Sequence, residues 1–190
     1  MSQGDLEKWQ RRYKEPAAAG EPEPFVSDVL KALTGTGRAL DIAGGRGRHA
    51  LAMAARGYAT TLLDVSPLGL QAASHEARRR GLTLTTKAQD LDAGLPVDVR
   101  FDLVTVTWFL LTPEHWAQVP QILSPGADLI YVQPTLQNQQ RHTHPSARFL
   151  VQPGDLAHRA HTAGLEVMRH ELGWDAADHH TERLWARRAP

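Results

Sequence analysis

Residues Ala39 to Ala50 read Ala-Leu-Asp-Ile-Ala-Gly-Gly-Arg-Gly-Arg-His-Ala, an apolar run that feeds a glycine-rich turn and then a helical pattern. In an open α/β sheet, a turn of this kind at the carboxyl end of the first strand is where a ligand sits. Its glycines permit positive φ and let a ligand approach the backbone with no Cβ in the way. The next apolar run ends at Asp64, 17 residues beyond Gly47. A carboxylate there accepts hydrogen bonds from both hydroxyls of a ribose, so loop and acid together form a nucleoside-binding unit. Gly45-x-Gly47-x-x-Ala50 also fits the dinucleotide fingerprint. Asp41 weighs against it, because a carboxylate just upstream adds a like charge to a turn built for a pyrophosphate. S-adenosylmethionine instead presents a positively charged amino group and a sulfonium, for which an acid is useful.

A second group of residues could move protons. Gln133-Pro134-Thr135 leads into a polar stretch, 136–149, that carries His142 and His144. A long loop at the carboxyl end of a strand lies beside the ligand and makes a natural substrate lid. These two histidines are therefore the candidate general bases, ahead of His115. The pairs His158/His161 and His179/His180 lack a carboxylate or third histidine at ligand spacing, so no metal site is expected.

These residues need a scaffold that brings strand ends together. Short apolar runs predict strands at 38–42, 59–65, 82–88, 101–107, 128–133, 165–172 and 181–187, and longer periodic stretches predict helices at 25–33, 47–56, 67–80, 112–123 and 153–163. Strands alternating with helices give an α/β, doubly wound, mainly parallel seven-stranded sheet in a single domain spanning 25–190. Ser66 before Pro67 supplies an N-cap followed by proline at the first helical position. Residues 1–24 form an N-terminal arm and linker, with three prolines, three consecutive alanines and a glycine between Glu15 and Pro24.

With these motifs in order, the sequence resembles the class I S-adenosylmethionine-dependent methyltransferases. Asp41-x-Ala43-x-Gly45-x-Gly47 matches the first motif, with Ala43 in place of the usual first glycine. Leu63-Asp64-Val65-Ser66 matches the acidic second motif, Ala88-Gln89-Asp90-Leu91 the third, and Phe101-Asp102-Leu103-Val104 leads to Thr107-Trp108 as the fourth strand and its exit. The resemblance implies that the acid at Asp41 engages the methionine amino group, Asp64 the ribose and Asp90 the adenine amino group. Val65, Leu91 and Thr107 complete the cofactor-binding set. Trp9-x-x-Arg12-Tyr13 is similar to the N-terminal arm of small tellurite-resistance and thiopurine-type methyltransferases, which implies that Tyr13 folds over the cofactor; spaced i, i+4 on one helical face, Trp9 and Tyr13 equally suit docking the arm on the domain.

Composition narrows the partners. The 21 Lys and Arg residues equal the 21 Asp and Glu residues, so no overall field draws in a polyanion, and nucleic acid is not expected as substrate. There is no cysteine, which excludes thiolate nucleophiles, Cys-based zinc sites and the cysteine-dependent arsenite chemistry of resembling enzymes. The N-terminus has no apolar signal region and the longest apolar stretch, 103–111, is too short for a membrane span, so a cytoplasmic protein is expected. The acceptor is then a small molecule, with thiol and chalcogen compounds foremost. Two alternatives stand: a methyltransferase-fold regulator without catalysis, and an NAD-dependent oxidoreductase using the same glycines.

Overall fold

The first half of the chain alternates short strand-forming segments with amphipathic segments that return across the sheet. In the computed structural model, residues 19–190 are described, and Trp9, Arg12 and Tyr13 of the arm lie outside the described residues. The elements run α1 (Pro24–Ala32), β1 (Arg38–Ile42), α2 (Arg48–Ala55), β2 (Ala59–Asp64), α3 (Pro67–Arg79), β3 (Leu84–Ala88), β4 (Phe101–Thr107), α4 (Pro113–Ile122), β5 (Leu123–Pro134), α5 (Asp155–Thr162), β6 (Leu165–Trp174) and β7 (His180–Arg188). The expected doubly wound architecture is observed. The sheet has seven strands in the order β3-β2-β1-β4-β5-β7-β6. Strands β1 to β5 pair in parallel, whereas β7 runs antiparallel to both β5 and β6.

Both faces of the sheet are covered. Phe25, Val26, Val29 and Leu30 of α1 pack with Ala39, Leu103, Ile130 and Val132 on one face. Leu40, Val104, Val106, Leu129 and Tyr131 face Trp116, Val119 and Ile122 of α4 and Leu156 and Ala160 of α5 on the other. Each such side chain contributes about 1.5–3 kcal/mol when taken wholly out of water. Ser66 caps α3 as expected, its Oγ accepting from the Gly69 N–H at 3.3 Å, with Pro67 in the first turn.

Two boundaries differ from expectation for identifiable reasons. Strand β5 begins at Leu123 rather than 128, because Leu123 pairs with Phe101 before the register shifts to Leu103 opposite Asp128. Pro125-Gly126 is a turn signal that here sits within an irregular strand start. Strand β6 extends to Trp174 as the sheet's edge, with most of its length exposed, so it lacks the apolar run that marks a central strand.

A buried acid fixes the position of α5. Glu182 of β7 has no exposed surface; its Oε2 accepts from the Gly154 N–H at 3.0 Å and its Oε1 from the Ala157 N–H at 3.2 Å. His170 Nε2 approaches the same Oε1 at 2.9 Å. These contacts satisfy amides at the start of α5 that would otherwise be buried without partners. Glu182→Ala should lower unfolding stability by about 3 kcal/mol, and Glu182→Gln, which keeps an acceptor, by less than half of that; urea denaturation of the two variants checks this order.

Candidate functional site

The glycine turn between β1 and α2 is a left-handed passage that few side chains tolerate. Ala43, Gly45 and Gly47 adopt φ of 54°, 58° and 77°. A Cβ on Gly44 would lie 2.3 Å from Asp41 Oδ2 and 2.4 Å from Leu62 Cδ1, so this position is closed to any side chain. Ala43, the departure from the family motif, adopts the left-handed angle in spite of its methyl group.

Two carboxylates hold that passage. Asp41 is wholly buried at the end of β1, its Oδ1 accepting from Thr105 Oγ1 at 2.8 Å and its Oδ2 from the Ala50 N–H at 3.1 Å. Burial pushes its carboxyl up to about 7, against the opposing pull of the Thr105 and Ala50 hydrogen bonds. Asp64 ends β2, its Oδ2 accepting from the Gly45 N–H and its Oδ1 from the Ser66 N–H, both at 2.8 Å. Burial raises the Asp64 carboxyl as well, while the amides of Ser66, Gly45 and Val65 hold it down. Asp90, at the end of β3, is exposed; it caps the short turn Leu91–Ala93 by accepting from the Asp92 N–H at 3.0 Å, and Leu91 is buried beneath it. Strand order thus gathers Asp41, Asp64, Val65, Asp90, Leu91 and Thr107 at the carboxyl edge of β1, β2, β3 and β4.

A residue that sequence reasoning quoted but gave no role joins this edge together. His49 is buried in the first turn of α2, its Nε2 accepting from the Glu23 N–H at 3.2 Å, which leaves Nδ1 to donate to Thr107 Oγ1 at 3.1 Å. Burial, with the Arg48 charge, pushes this imidazole down to about 3. It therefore stays neutral while bridging the start of α1, the glycine loop and the tip of β4.

Trp108 follows Thr107 with φ of 58°, its N–H donating to the Val132 carbonyl at 3.0 Å. A bulky residue in this region costs about 1–3 kcal/mol and persists only where its surroundings impose it. The Trp108 ring meets His179 edge-on at 4.9 Å and 85°. The expected lid folds into short turns at Leu136–Gln140 and Ala147–Phe149 and is clasped to the β6–β7 turn. In that clasp Arg141 bonds Asp178 and stacks over Trp174, and His142 Nε2 lies 2.5 Å from the Asp178 carbonyl.

The proposed bases thus separate. His142 joins the cluster, 5.6 Å from His179 between ring centres. His144 is exposed, its Nδ1 3.4 Å from the neighbouring Thr143 Oγ1. His115 is a capping residue, with Nδ1 accepting from the Thr112 N–H and Nε2 donating to the Leu91 carbonyl. The contact of His179 with Trp108 was not foreseen, since no spacing in the sequence shows that the β6–β7 turn returns beside β4. Among the described residues, no helix is long and apolar enough to cross a membrane, and no three metal-ligating side chains gather.

Residues 39–126 match a family model described as a methyltransferase domain. The enzyme class and the S-adenosylmethionine cofactor expected from the sequence accord with it. Solved structures share its fold. TehB from Haemophilus influenzae is 16% identical with a TM-score of 0.73, over 96% of this chain and 66% of that one, so this chain spans about two thirds of TehB's length. A structure described for conversion of a disulfide bond into a thioacetal group during echinomycin biosynthesis is 20% identical, TM-score 0.73, over 97% of this chain and 91% of that one. The 1,6-didemethyltoxoflavin-N1-methyltransferase of Burkholderia thailandensis, with bound 1,6-didemethyltoxoflavin and S-adenosylhomocysteine, is 18% identical, TM-score 0.68, over 98% of this chain and 85% of that one.

The two displaced titrations of this domain oppose each other. Asp41, raised from about 3.8 to about 7, supports folding at low pH and withdraws that support as pH rises through 7. His49, lowered from 6.5 to about 3, supports folding above pH 6.5 and withdraws that support as pH falls toward 3. Asp41→Asn should therefore show a urea midpoint that falls as pH drops from 6.5 to about 4, and His49→Asn one that falls as pH rises from about 4 to 7. Identical profiles for both variants and the unaltered protein would sink this account.

Proposed function

We propose that this chain transfers a methyl group from S-adenosylmethionine to a small-molecule nucleophile. The observation that carries the reading is the occupancy of the loop's donors: Asp41 takes the Ala50 N–H at the helix start and Asp64 takes the Gly45 N–H. A pyrophosphate needs those same amides, so the NAD-dependent reading loses its binding site. Acids at the ends of β1, β2 and β3 suit a nucleoside that carries a cationic amino group. Asp64 and Val65 would hold the ribose, and Asp90 and Leu91 the adenine. Asp41, enclosed beneath the loop, would act on the amino group through its charge and through the loop it shapes. Gly45, Gly47 and Ala43 form the turn and Thr107 closes the edge, while the role expected of Tyr13 belongs to the arm.

When bound, S-adenosylmethionine supplies an electrophilic methyl group on a sulfonium. The protein's task is then to position the acceptor, exclude water and, for a hydroxyl or amine acceptor, remove a proton. A thiol or chalcogen acceptor is soft and readily anionic, and it remains a reading in which His142 is dispensable. A regulator that had lost catalysis would keep Asp41 and Asp64 for the loop they hold, so cofactor binding is what separates it from an enzyme.

Calorimetric titration with S-adenosylhomocysteine, S-adenosylmethionine and NADH tests the proposal. The first two should bind and the third should not. Asp64→Ala should weaken S-adenosylhomocysteine by about tenfold or more, as loss of a charged hydrogen bond predicts. Binding of NADH alone would overturn the reading, and binding of none of the three would favour the regulator.

A further inference from the structure

We infer that Trp108 and His179 form the acceptor wall of this domain, and that the acceptor is a planar aromatic compound bearing an ionisable O–H, N–H or S–H. The inference rests on the cofactor site proposed above and names the substrate class for it. Trp108 begins where that site ends, one residue beyond Thr107, whose hydroxyl is bonded to His49 in the first turn of α2. A tryptophan whose task is packing is buried, as Trp116 is at 5% exposure; Trp108 leaves 37% of its surface open. Its left-handed backbone and its N–H bond to Val132 fix the indole at the exit of β4. An exposed, fixed indole offers a flat π-face at low entropic cost, which favours stacking of another planar ring.

His179 supplies the polar half of the wall. Asp175 Oδ1 accepts from the backbone N–H groups of Ala177 and His179 at 2.9 Å, so this carboxylate is locked by its own turn. It lies 3.9 Å from His179 Nδ1, which leaves Nε2 as the nitrogen able to face an acceptor. With Nδ1 turned toward Asp175, Nε2 can take the acceptor's proton and pass it to solvent. His142 borders the same wall, but its Nε2 is engaged by the Asp178 carbonyl. His179 is therefore the better placed of the two imidazoles, and Asp175 is its positioning residue.

Saturation-transfer NMR on the full chain loaded with S-adenosylhomocysteine tests this with three probes: 2-naphthol, naphthalene and 2-mercaptoethanol. Calorimetry on each variant confirms that S-adenosylhomocysteine still binds, which reports both the fold and the cofactor site. We expect 2-naphthol to bind, its Kd to rise about tenfold in Trp108→Ala, equivalent to about 1.4 kcal/mol, and to change by less than about twofold in Trp108→Phe, which keeps a flat ring. His179→Gln should erase the preference for 2-naphthol over naphthalene while leaving naphthalene bound. Unchanged 2-naphthol affinity in Trp108→Ala, or binding of 2-mercaptoethanol in place of the aromatic probes, overturns the inference alone. No aromatic binding by a protein that holds S-adenosylhomocysteine does the same. Failure of the unaltered protein to bind S-adenosylhomocysteine overturns this inference together with the cofactor reading.

Discussion

The glycine turn keeps its shape because two carboxylates from adjacent parallel strands accept its amides. Buried backbone N–H groups require acceptors, and Asp41 and Asp64 provide them from the ends of β1 and β2. The register that places Ile42 beside Leu63 sets the two acids side by side under one loop. Their desolvation is costly, and it is offset by hydrogen bonds that exist only when loop and sheet are both in place. Loop geometry is thus a consequence of strand register, with the glycines making that geometry sterically accessible.

The other half of the site depends on a reversal of chain direction. Because β7 runs antiparallel between β5 and β6, the turn that precedes it returns to the edge where β4 and β5 end. Trp174, Asp178, His179 and His180 arrive there together. Asn138 fastens the lid to them, accepting from the His180 N–H and donating to the His144 carbonyl. The cluster around Trp108 is consequently assembled from three segments distant in sequence, while the acids of the glycine turn come from contiguous βα units.

That division explains what could be read in advance. Strands β1 and β4 match expectation residue for residue, since a strand covered on both faces is a short, mainly apolar and β-branched run. Asp64 and Asp90 were legible because a parallel strand delivers its last residue to the ligand edge. His49 stood in the motif, yet its bridge to Glu23 and Thr107 depends on where α1 begins, which no spacing encodes. The adjacent pair His179 and His180 reads as one feature in the sequence. In the fold the first meets Trp108 and the second lies 2.7 Å from Thr135 Oγ1. The left-handed Trp108 was invisible for a different reason, being imposed against the residue's own preference.

Asp41 carries one further consequence. Burial raises this carboxyl toward neutrality. A cation settling over the loop would favour its ionised form and so the release of a proton. Ligand capture at such a site would then be a proton-coupled exchange, its heat dependent on the buffer that receives the proton. Acidification would oppose capture even where the ligand itself does not titrate, giving the domain a sensitivity to its surroundings that originates in a side chain with no exposed surface.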